Sequence, residues 1–218
     1  MNYTELVAAI ESTVENTFET ADINRFIRGA EQRIFNSIDF PMARKNVTGV
    51  LESGNEYLQC PDDFLAPFSL AVIAVNGNYT YLLPKDVNFI REAYPNPTVT
   101  GVPKYYSIFG PRSDDETKST FILGPTPNAA LTAELHYFYY PESITTIAGE
   151  QTWLGDNFET ALLYGALVEA YIFMKGEADM MAAYEAKYKE ALMLAKKLGD
   201  GMQKSDVYRN GTPRVPVS

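Results

Sequence analysis

Few residues in this sequence have side chains suited to catalysis. His136 is the only histidine and Cys60 the only cysteine among the 218 residues. A Ser–His–Asp relay would have to be built on His136, and nothing near it resembles a nucleophile elbow. Strand alternation places it on one face with Glu134, Phe138 and Tyr140, so we interpret it as a structural strand residue. Cys60 precedes Pro61 at a predicted strand end, where a small semi-buried side chain is expected.

Carboxylates are more plentiful and leave two candidate cation sites. Asp62-Asp63 and the loop Asp114-Asp115-Glu116 could each bind a hard cation together with backbone oxygens. Neither has the spaced ligands of a calcium loop, so we predict a self-stabilised turn and a solvated loop tip. The sequence also lacks a phosphate-binding glycine loop, a dinucleotide fingerprint and a His-Glu-x-x-His motif. We therefore predict no enzyme activity, no cofactor and no metal, with a carboxylate-dependent hydrolase as an alternative that metal dependence would support.

Charge and composition narrow the class of protein. The formal charge is −10, hydrophobic residues make up 46% and aromatic residues 13%. An acidic surface disfavours a nucleic-acid groove, which needs Lys and Arg to neutralise phosphates. The first residues lack the basic and apolar regions of a signal peptide. The longest apolar run, 161–174, is interrupted by Glu169 and is shorter than the roughly 20 residues that span a bilayer. We expect a soluble protein made in a cytoplasm, without membrane contact.

Any site must be positioned by the secondary structure around it. The last predicted element is a helical hairpin over 156–198. Residues 158–174 are apolar on most sides, which is typical of a buried helix. Asp156 or Asn157 is expected to cap its start, and Lys175 and Gly176 mark its end. The second helix carries one apolar stripe, formed by Met181, Tyr184, Tyr188, Leu192, Ala195 and Leu198. Its polar face consists of Glu185, Lys187, Lys189, Glu190, Lys196 and Lys197.

Upstream, two amphipathic helices over 3–15 and 23–37 precede a block of about seven strands. The strands are joined by turns, with hairpins predicted around 52–56 and at Asn76-Gly77-Asn78, and a short helix starts at Pro84. This order predicts an α+β fold with an antiparallel sheet. We predict a four-helix bundle from 1–43 and 151–199, an inserted β subdomain at 44–150 and an extended arm at 200–218.

The last residues differ from the acidic body. Residues 200–218 carry three cationic side chains against two carboxylates, and include two prolines. Such a segment is either disordered or an arm that orders on a partner. The candidate docking residues of this arm are Lys204, Tyr208, Arg209 and Arg214.

The 15 tyrosines offer a second kind of candidate surface. Tyrosine is frequent at interfaces because its ring buries area while its hydroxyl finds a partner. Tyr105-Tyr106 and the group Tyr137, Tyr139 and Tyr140 are the candidates here. Exposed aromatics around Tyr105 and Tyr137 would favour a β-rich receptor-binding or carbohydrate-binding accessory module. The alternative is a sheet core with tyrosines at its edge.

Several short motifs follow one another along the chain in a particular order and spacing. Residues 58–65 read Leu-Gln-Cys-Pro-Asp-Asp-Phe-Leu, and residues 101–106 read Gly-Val-Pro-Lys-Tyr-Tyr. Residues 122–127 and 135–141 come next, and Trp153-Leu154 with 162–167 follow. In this order they resemble the head-to-tail adaptor proteins of tailed bacteriophages, the connector or tail tubular protein A-like family. The corresponding features of that family are an "L-x-x-P-x-D-F-L" turn, a Gly-x-Pro-x-Tyr-Tyr strand entry, the hairpin after it and the start of a C-terminal helical hairpin.

The resemblance implies a structural ring component of the virion neck, commonly of twelve copies, assembled in the host cytoplasm. Its expected partners are the portal protein, tail or nozzle proteins, further copies of itself, and DNA that passes without sequence-specific binding. In this family the helices form the ring wall and the C-terminal extension docks on the portal. The polar face of the last helix then becomes a candidate ring interface, and a merely solvated face is the alternative.

Overall fold

The computed structural model describes residues 1–74, 76–111 and 118–203. Its helices, in chain order, are α1 (Tyr3–Val14), α2 (Thr20–Ser37), α3 (Val87–Ala93), α4 (Trp153–Asn157), α5 (Glu159–Phe173) and α6 (Ala178–Gln203). Its strands are β1 (Arg44–Leu51), β2 (Tyr57–Gln59), β3 (Ala66–Ile73), β4 (Tyr79–Tyr81), β5 (Leu83–Pro84), β6 (Thr100–Gly101), β7 (Tyr105–Phe109), β8 (Thr120–Gly124), β9 (Thr126–Pro127) and β10 (Leu131–Phe138). The mixed α+β class predicted from the sequence is confirmed.

The chain divides into two compact units. Residues 1–43 and the chain from Tyr140 onward form a helical unit, and Arg44–Tyr139 form a β-rich unit. The insertion was predicted to extend to residue 150, whereas the β-rich unit ends at Tyr139. The residues after Tyr139 belong to the helical unit because Ile144 is buried in its core and the Tyr3 N–H donates to the Glu150 carbonyl over 3.0 Å.

Helix α5 lies at the centre of the helical unit. It packs against α1, α2 and α6, and its Leu162, Ala166 and Leu167 side chains are fully buried. A helix that is apolar on nearly all sides needs such neighbours around it. This arrangement does not establish the predicted four-helix bundle. Helices α1, α2 and α6 surround α5, and the short α4 leads directly into α5.

The start of α5 also differs from the prediction. Asp156 and Asn157 do not cap it, because both belong to α4, whose own N-cap is Thr152. Phe158 occupies the N-cap position of α5 without a side-chain hydrogen bond. The end is as predicted: Met174 is the C-cap, and Lys175 follows with a φ of 55°. None of the helices in the described ranges is long and apolar enough to cross a membrane.

The described part of the β-rich unit contains two four-stranded sheets, with strand orders β1-β10-β3-β4 and β2-β8-β7-β5, and the two-stranded sheet β6-β9. The two four-stranded sheets share one core, which includes Leu70 and Leu135 from the first sheet and Tyr106 and Phe121 from the second. The β3–β4 hairpin at Asn76-Gly77-Asn78 is confirmed, with Gly77 at a φ of 83°. Such a left-handed conformation is what glycine permits in a tight turn.

The predicted hairpin around 52–56 is wrong, because β1 pairs with β10 while β2 pairs with β8. This turn carries the chain from one sheet to the other. The purely antiparallel prediction is also wrong, since β5 pairs with β7 and β6 with β9 in parallel. Parallel neighbours need a crossover, and α3 supplies it between β5 and β7. Pro84 accordingly lies in β5, and Asp86 caps α3.

Candidate interaction surface

Helix α6 presents one side to the helical core and the other to solvent. Tyr188, Ala191 and Ala195 are buried against the core. The approach of α6 to α5 depends on Gly165, where an added Cβ would lie 3.2 Å from Cε2 of Tyr188. Arg33 of α2 lies over the Tyr188 ring and forms an ion pair with Glu169, which accounts for the single carboxylate in the apolar run of α5.

The solvent side of α6 carries large apolar side chains, of which Leu194 and Leu198, one turn apart, form an apolar row. Met193 is 72% exposed, Leu194 65% and Leu198 48%. Leu198 was predicted to lie on the buried stripe, and this is wrong. Its neighbour Gly199 is buried instead, and an added Cβ there would lie 3.0 Å from Ile38. Contiguous exposed apolar residues of this kind mark interaction sites on soluble proteins.

The six charged residues predicted for the ring interface are all exposed, and they lie on two sides of α6. At about 100° per residue, Glu185, Lys189 and Lys196 share one side. Lys187, Glu190 and Lys197 follow the spacing of Leu194 on the other side. Each side contains an ion pair, Glu185–Lys189 at 2.9 Å and Lys187–Glu190 at 3.3 Å. The hydrogen bond from Lys189 lowers the pKa of the Glu185 carboxyl.

A groove of about 630 Å³ lies between the start of α5 and the middle of α6. Phe158, Tyr164 and Leu194 provide its apolar lining, and Glu159 and Glu190 are among its acidic residues. The groove therefore has a mixed apolar and charged lining. Lys187 and Glu190 therefore belong to a shaped surface together with Leu194, while Glu185, Lys189 and Lys196 lie outside it.

The apolar row was the part of this surface that the sequence interpretation missed. Met193 and Leu194 lie between the stripe positions 192 and 195, and they were not singled out. Plotting every apolar residue of α6 around the helix, including those off the main stripe, would have found them.

His136 and Cys60 occupy structural positions. The Nδ1 atom of His136 lies 3.4 Å from the Ser69 hydroxyl on the neighbouring strand, and it shares a half-exposed sheet face with Glu134. Cys60 is buried in the core of the β-rich unit, and burial raises the pKa of its thiol to about 12. A thiol with such a pKa is protonated at neutral pH, so it is a poor nucleophile and metal ligand.

The two adjacent carboxylates Asp62 and Asp63 have separate partners. Asp62 forms an ion pair with Lys118 at 2.6 Å. Asp63 accepts hydrogen bonds from Lys45 and from the Tyr137 hydroxyl, both at 2.7 Å. Partial burial acts to raise the pKa of Asp63, but these hydrogen bonds hold it below the ordinary value. Over the described ranges, His, Cys, Asp and Glu side chains form no group of three or more that could hold a metal ion.

The tyrosine candidates lie mostly inside the β-rich unit. Tyr137 is only 3% exposed, and burial together with its bond to Asp63 raises its pKa to about 12. Tyr105 is half-buried against Phe89 and Tyr94. The aromatic surface expected around Tyr105 and Tyr137 for a carbohydrate-binding module is therefore not formed at Tyr137. Of the other candidates, Tyr140 is 38% exposed and belongs to the helical unit, and further exposed aromatic residues include Tyr81 and Phe109.

Two further predictions lie outside the described residues. These are the docking arm with Lys204, Tyr208, Arg209 and Arg214, and the acidic loop Asp114-Asp115-Glu116.

Comparison with known proteins connects the chain to one protein family. No curated protein matches the chain significantly. The model of the SU10 adaptor protein family matches residues 1–216, nearly the whole chain. The chain therefore belongs to the SU10 adaptor protein family and is a phage adaptor-type protein.

Proposed function

We propose that this protein is a non-enzymatic structural subunit of a phage virion that assembles into a ring between the portal and the tail. In this role its partners are the portal protein, tail or nozzle proteins and further copies of itself. Membership of an adaptor family supports interaction with other phage structural proteins. The resemblance of the motifs at 58–65, 101–106, 122–127 and 135–141 to head-to-tail adaptors supports the position in the neck.

The observation that carries the ring is the exposed apolar row on α6. Leu194 and Leu198 form this apolar row one turn apart, and Lys187, Glu190 and further charged residues lie beside it. An apolar centre with a polar rim is the usual anatomy of a protein–protein interface. A ring requires two different surfaces on each subunit, because its contacts are head to tail. The row and the adjoining groove supply one of the two.

The acidity of the chain supports the proposed path for DNA. A subunit of charge −10 repeated around a ring gives a strongly negative assembly. Negative walls repel the phosphate backbone, so duplex DNA passes without adhering. The basic arm at 204–218 has the opposite role and docks on the portal.

The test is to mix the purified protein with the portal protein of the same phage and image the product by electron microscopy. We expect rings with rotational symmetry on one face of the portal, with acidic side chains facing the channel. Absence of rings would contradict the proposed assembly. A neutral or basic channel in the imaged ring would contradict the proposed path of DNA.

The Leu194→Asp variant tests whether α6 forms the interface. A charge placed in a desolvated interface costs several kcal/mol, so we expect ring formation to fall by at least about tenfold. The fold should remain intact, because Leu194 is 65% exposed. Val99→Asp is the matched control, since Val99 is 59% exposed and lies in the β-rich unit. Equal ring formation by both variants would exclude α6 from the subunit contact.

A further inference from the structure

The first strand of the β-rich unit is an open sheet edge. β1 lies at one end of the sheet β1-β10-β3-β4, and within the described part of the chain β10 is its only sheet neighbour. Residues 45–50 of this strand are all exposed. The opposite edge, β4, is only three residues long, whereas β1 has eight.

The hydrogen bonds of the sheet identify which backbone groups of β1 point outward. The Leu82 N–H donates to the Leu70 carbonyl, so Leu70 faces away from β10. Leu135, opposite Leu70, must then face β1, where its partner is Val47. Along an antiparallel strand, successive residues direct their N–H and C=O groups alternately to one side and to the other. The N–H and C=O groups of Asn46, Thr48 and Val50 are therefore directed away from the sheet.

This edge lacks the features that normally protect an edge strand from pairing. Protected edges carry prolines, bulges or projecting charges. β1 contains no proline and pairs with β10 in an unbroken register. Both of its charged side chains are drawn back over the sheet. The Arg44 guanidinium lies 4.8 Å and 5.2 Å from the ring centres of Phe68 and Phe138. The Lys45 ammonium lies 2.7 Å from the Asp63 carboxylate.

The sequence of β1 is complementary to itself in one antiparallel register. With Thr48 opposite Thr48 of a second copy, the outward groups of Asn46 face those of Val50, and Thr–Thr pairs are favourable across strands. Val47 then lies opposite Gly49. A Cβ added at Gly49 would meet no atom within 4 Å.

We propose that β1 pairs with β1 of a second copy about a two-fold axis at Thr48, which joins two four-stranded sheets into one. This contact is isologous, so it differs from the head-to-tail contacts of a ring and belongs to the free protein. A single pair of strands buries little surface, and the dimer is therefore weak and dependent on protein concentration.

Cross-linking tests the register. In Thr48→Cys the two new thiols face each other at the axis, within the Cα separation that a disulfide requires. In Val50→Cys the equivalent thiols are about 13 Å apart along the strands and cannot be joined. We expect a disulfide-linked dimer from Thr48→Cys only, and the native Cys60 is buried and does not interfere. Equal cross-linking of both variants, or of neither, would overturn the proposal.

Sedimentation velocity over a range of concentrations tests the strand pairing itself. Thr48→Pro removes the outward N–H from both copies, while the bonds to β10 remain because Thr48 faces away from that strand. We expect dimerisation to weaken by at least about tenfold. Thr48→Val keeps the N–H and the β-branched shape, so it should dimerise like the wild type. A wild type that stays monomeric, or a dimer that Thr48→Pro leaves unchanged, would overturn the proposal. If Thr48→Pro unfolds, the cross-linking result decides.

Discussion

At the scale of single residues, the side chain of Glu31 holds the returning chain against the helical unit. It is only 5% exposed on α2, and its Oε1 atom accepts a hydrogen bond from the Ile144 N–H over 2.9 Å. Nearby, the Arg28 guanidinium donates to the Thr145 hydroxyl. Burial raises the pKa of Glu31, although the hydrogen bonds from Ile144 and Ser143 and the charge of Arg28 act to lower it.

Two substitutions of Glu31 separate its hydrogen bond from its charge. We expect Glu31→Ala to lower the free energy of unfolding by about 1–3 kcal/mol, because the buried Ile144 N–H loses its acceptor. Glu31→Gln keeps an acceptor oxygen, so it should destabilise the protein less at neutral pH. Urea denaturation of the three proteins measures both effects. Equal losses in the two variants would mean that the hydrogen bond contributes nothing.

The raised pKa of Glu31 also determines how the stability of the folded protein changes with pH. Between its ordinary value of 4.5 and its raised value in the folded protein, the folded state binds more protons than the unfolded state. Stability from this group is thus fully present below 4.5 and is lost as the pH rises through the folded value. Lowering the pH from neutrality should stabilise the wild type relative to Glu31→Gln.

The carboxylates show what residue-level interpretation could reach from the sequence. Asp62-Asp63 was predicted to be a turn rather than a metal site, and the structure gives each aspartate its own cationic partner. Those partners, Lys118 and Lys45, are far away in the sequence. Nothing local in the chain indicates that they meet, because strand pairing brings them together.

At the scale of elements, the crossing of α2, α5 and α6 depends on glycine. An added Cβ at Gly165 would lie 2.9 Å from the Cβ of Ala30, closer than real Cβ contacts allow. At Gly29, also on a helix, the nearest atom would be Cγ of Glu169 at 3.7 Å, an ordinary contact. A substitution by alanine would therefore clash at Gly165 but fit at Gly29.

We expect Gly165→Ala and Gly29→Ala to change stability in opposite directions. Gly165→Ala should destabilise the protein by about 1–3 kcal/mol, because overpacking outweighs the gain in helix propensity. Gly29→Ala should stabilise it by about 0.5–1 kcal/mol, through propensity alone. Thermal and chemical denaturation of both variants measures the two effects. A stabilising Gly165→Ala would show that the helices can move apart at low cost.

Helices were predicted more accurately than strand partners for a physical reason. A helix satisfies its backbone locally, so the apolar period of 158–174 or 178–198 is enough to indicate it. A strand is completed by a distant segment. The sequence predicts strands on both sides of the turn at 52–56, yet β1 pairs with β10, about eighty residues further on. The close approach at Gly199, which leaves Leu198 exposed, depends in the same way on Ile38 and Phe40.

At the scale of the whole molecule, the chain forms two hydrophobic cores, one in each unit. Leu6, Ile27 and Leu162 belong to the helical core, and Leu70 and Phe121 to the core of the β-rich unit. Each unit thus has its own source of stability. The general order of helices, strands and helices was readable from the change of apolar period along the sequence. The boundary at Tyr139 was not, because residues 140–152 have little regular structure and are fixed by contacts with α1 and α2.

The proposed portal-docking role of the C-terminal arm gives a prediction for the assembled protein. Helix α6 extends to Gln203, so removing residues 204–218 spares every described element, whereas a cut at 201 would shorten the helix. We expect the truncated protein to unfold like the full chain and to retain ring formation. Its binding to the portal should weaken by at least about tenfold, because Lys204, Arg209 and Arg214 are lost. Surface plasmon resonance on immobilised portal measures this.

A charge variant of the full-length chain separates the contribution of charge from that of length. Replacing Lys204, Arg209 and Arg214 by glutamine keeps the arm but removes its cations. If electrostatic attraction dominates, this variant should bind the portal as weakly as the truncated protein, and raising the salt concentration should weaken the wild type towards the same level. If apolar contacts of the arm dominate, the glutamine variant should bind like the wild type. Unchanged binding by the truncated protein would remove the arm from the portal contact and leave α6 and the β-rich unit as the surfaces to be tested.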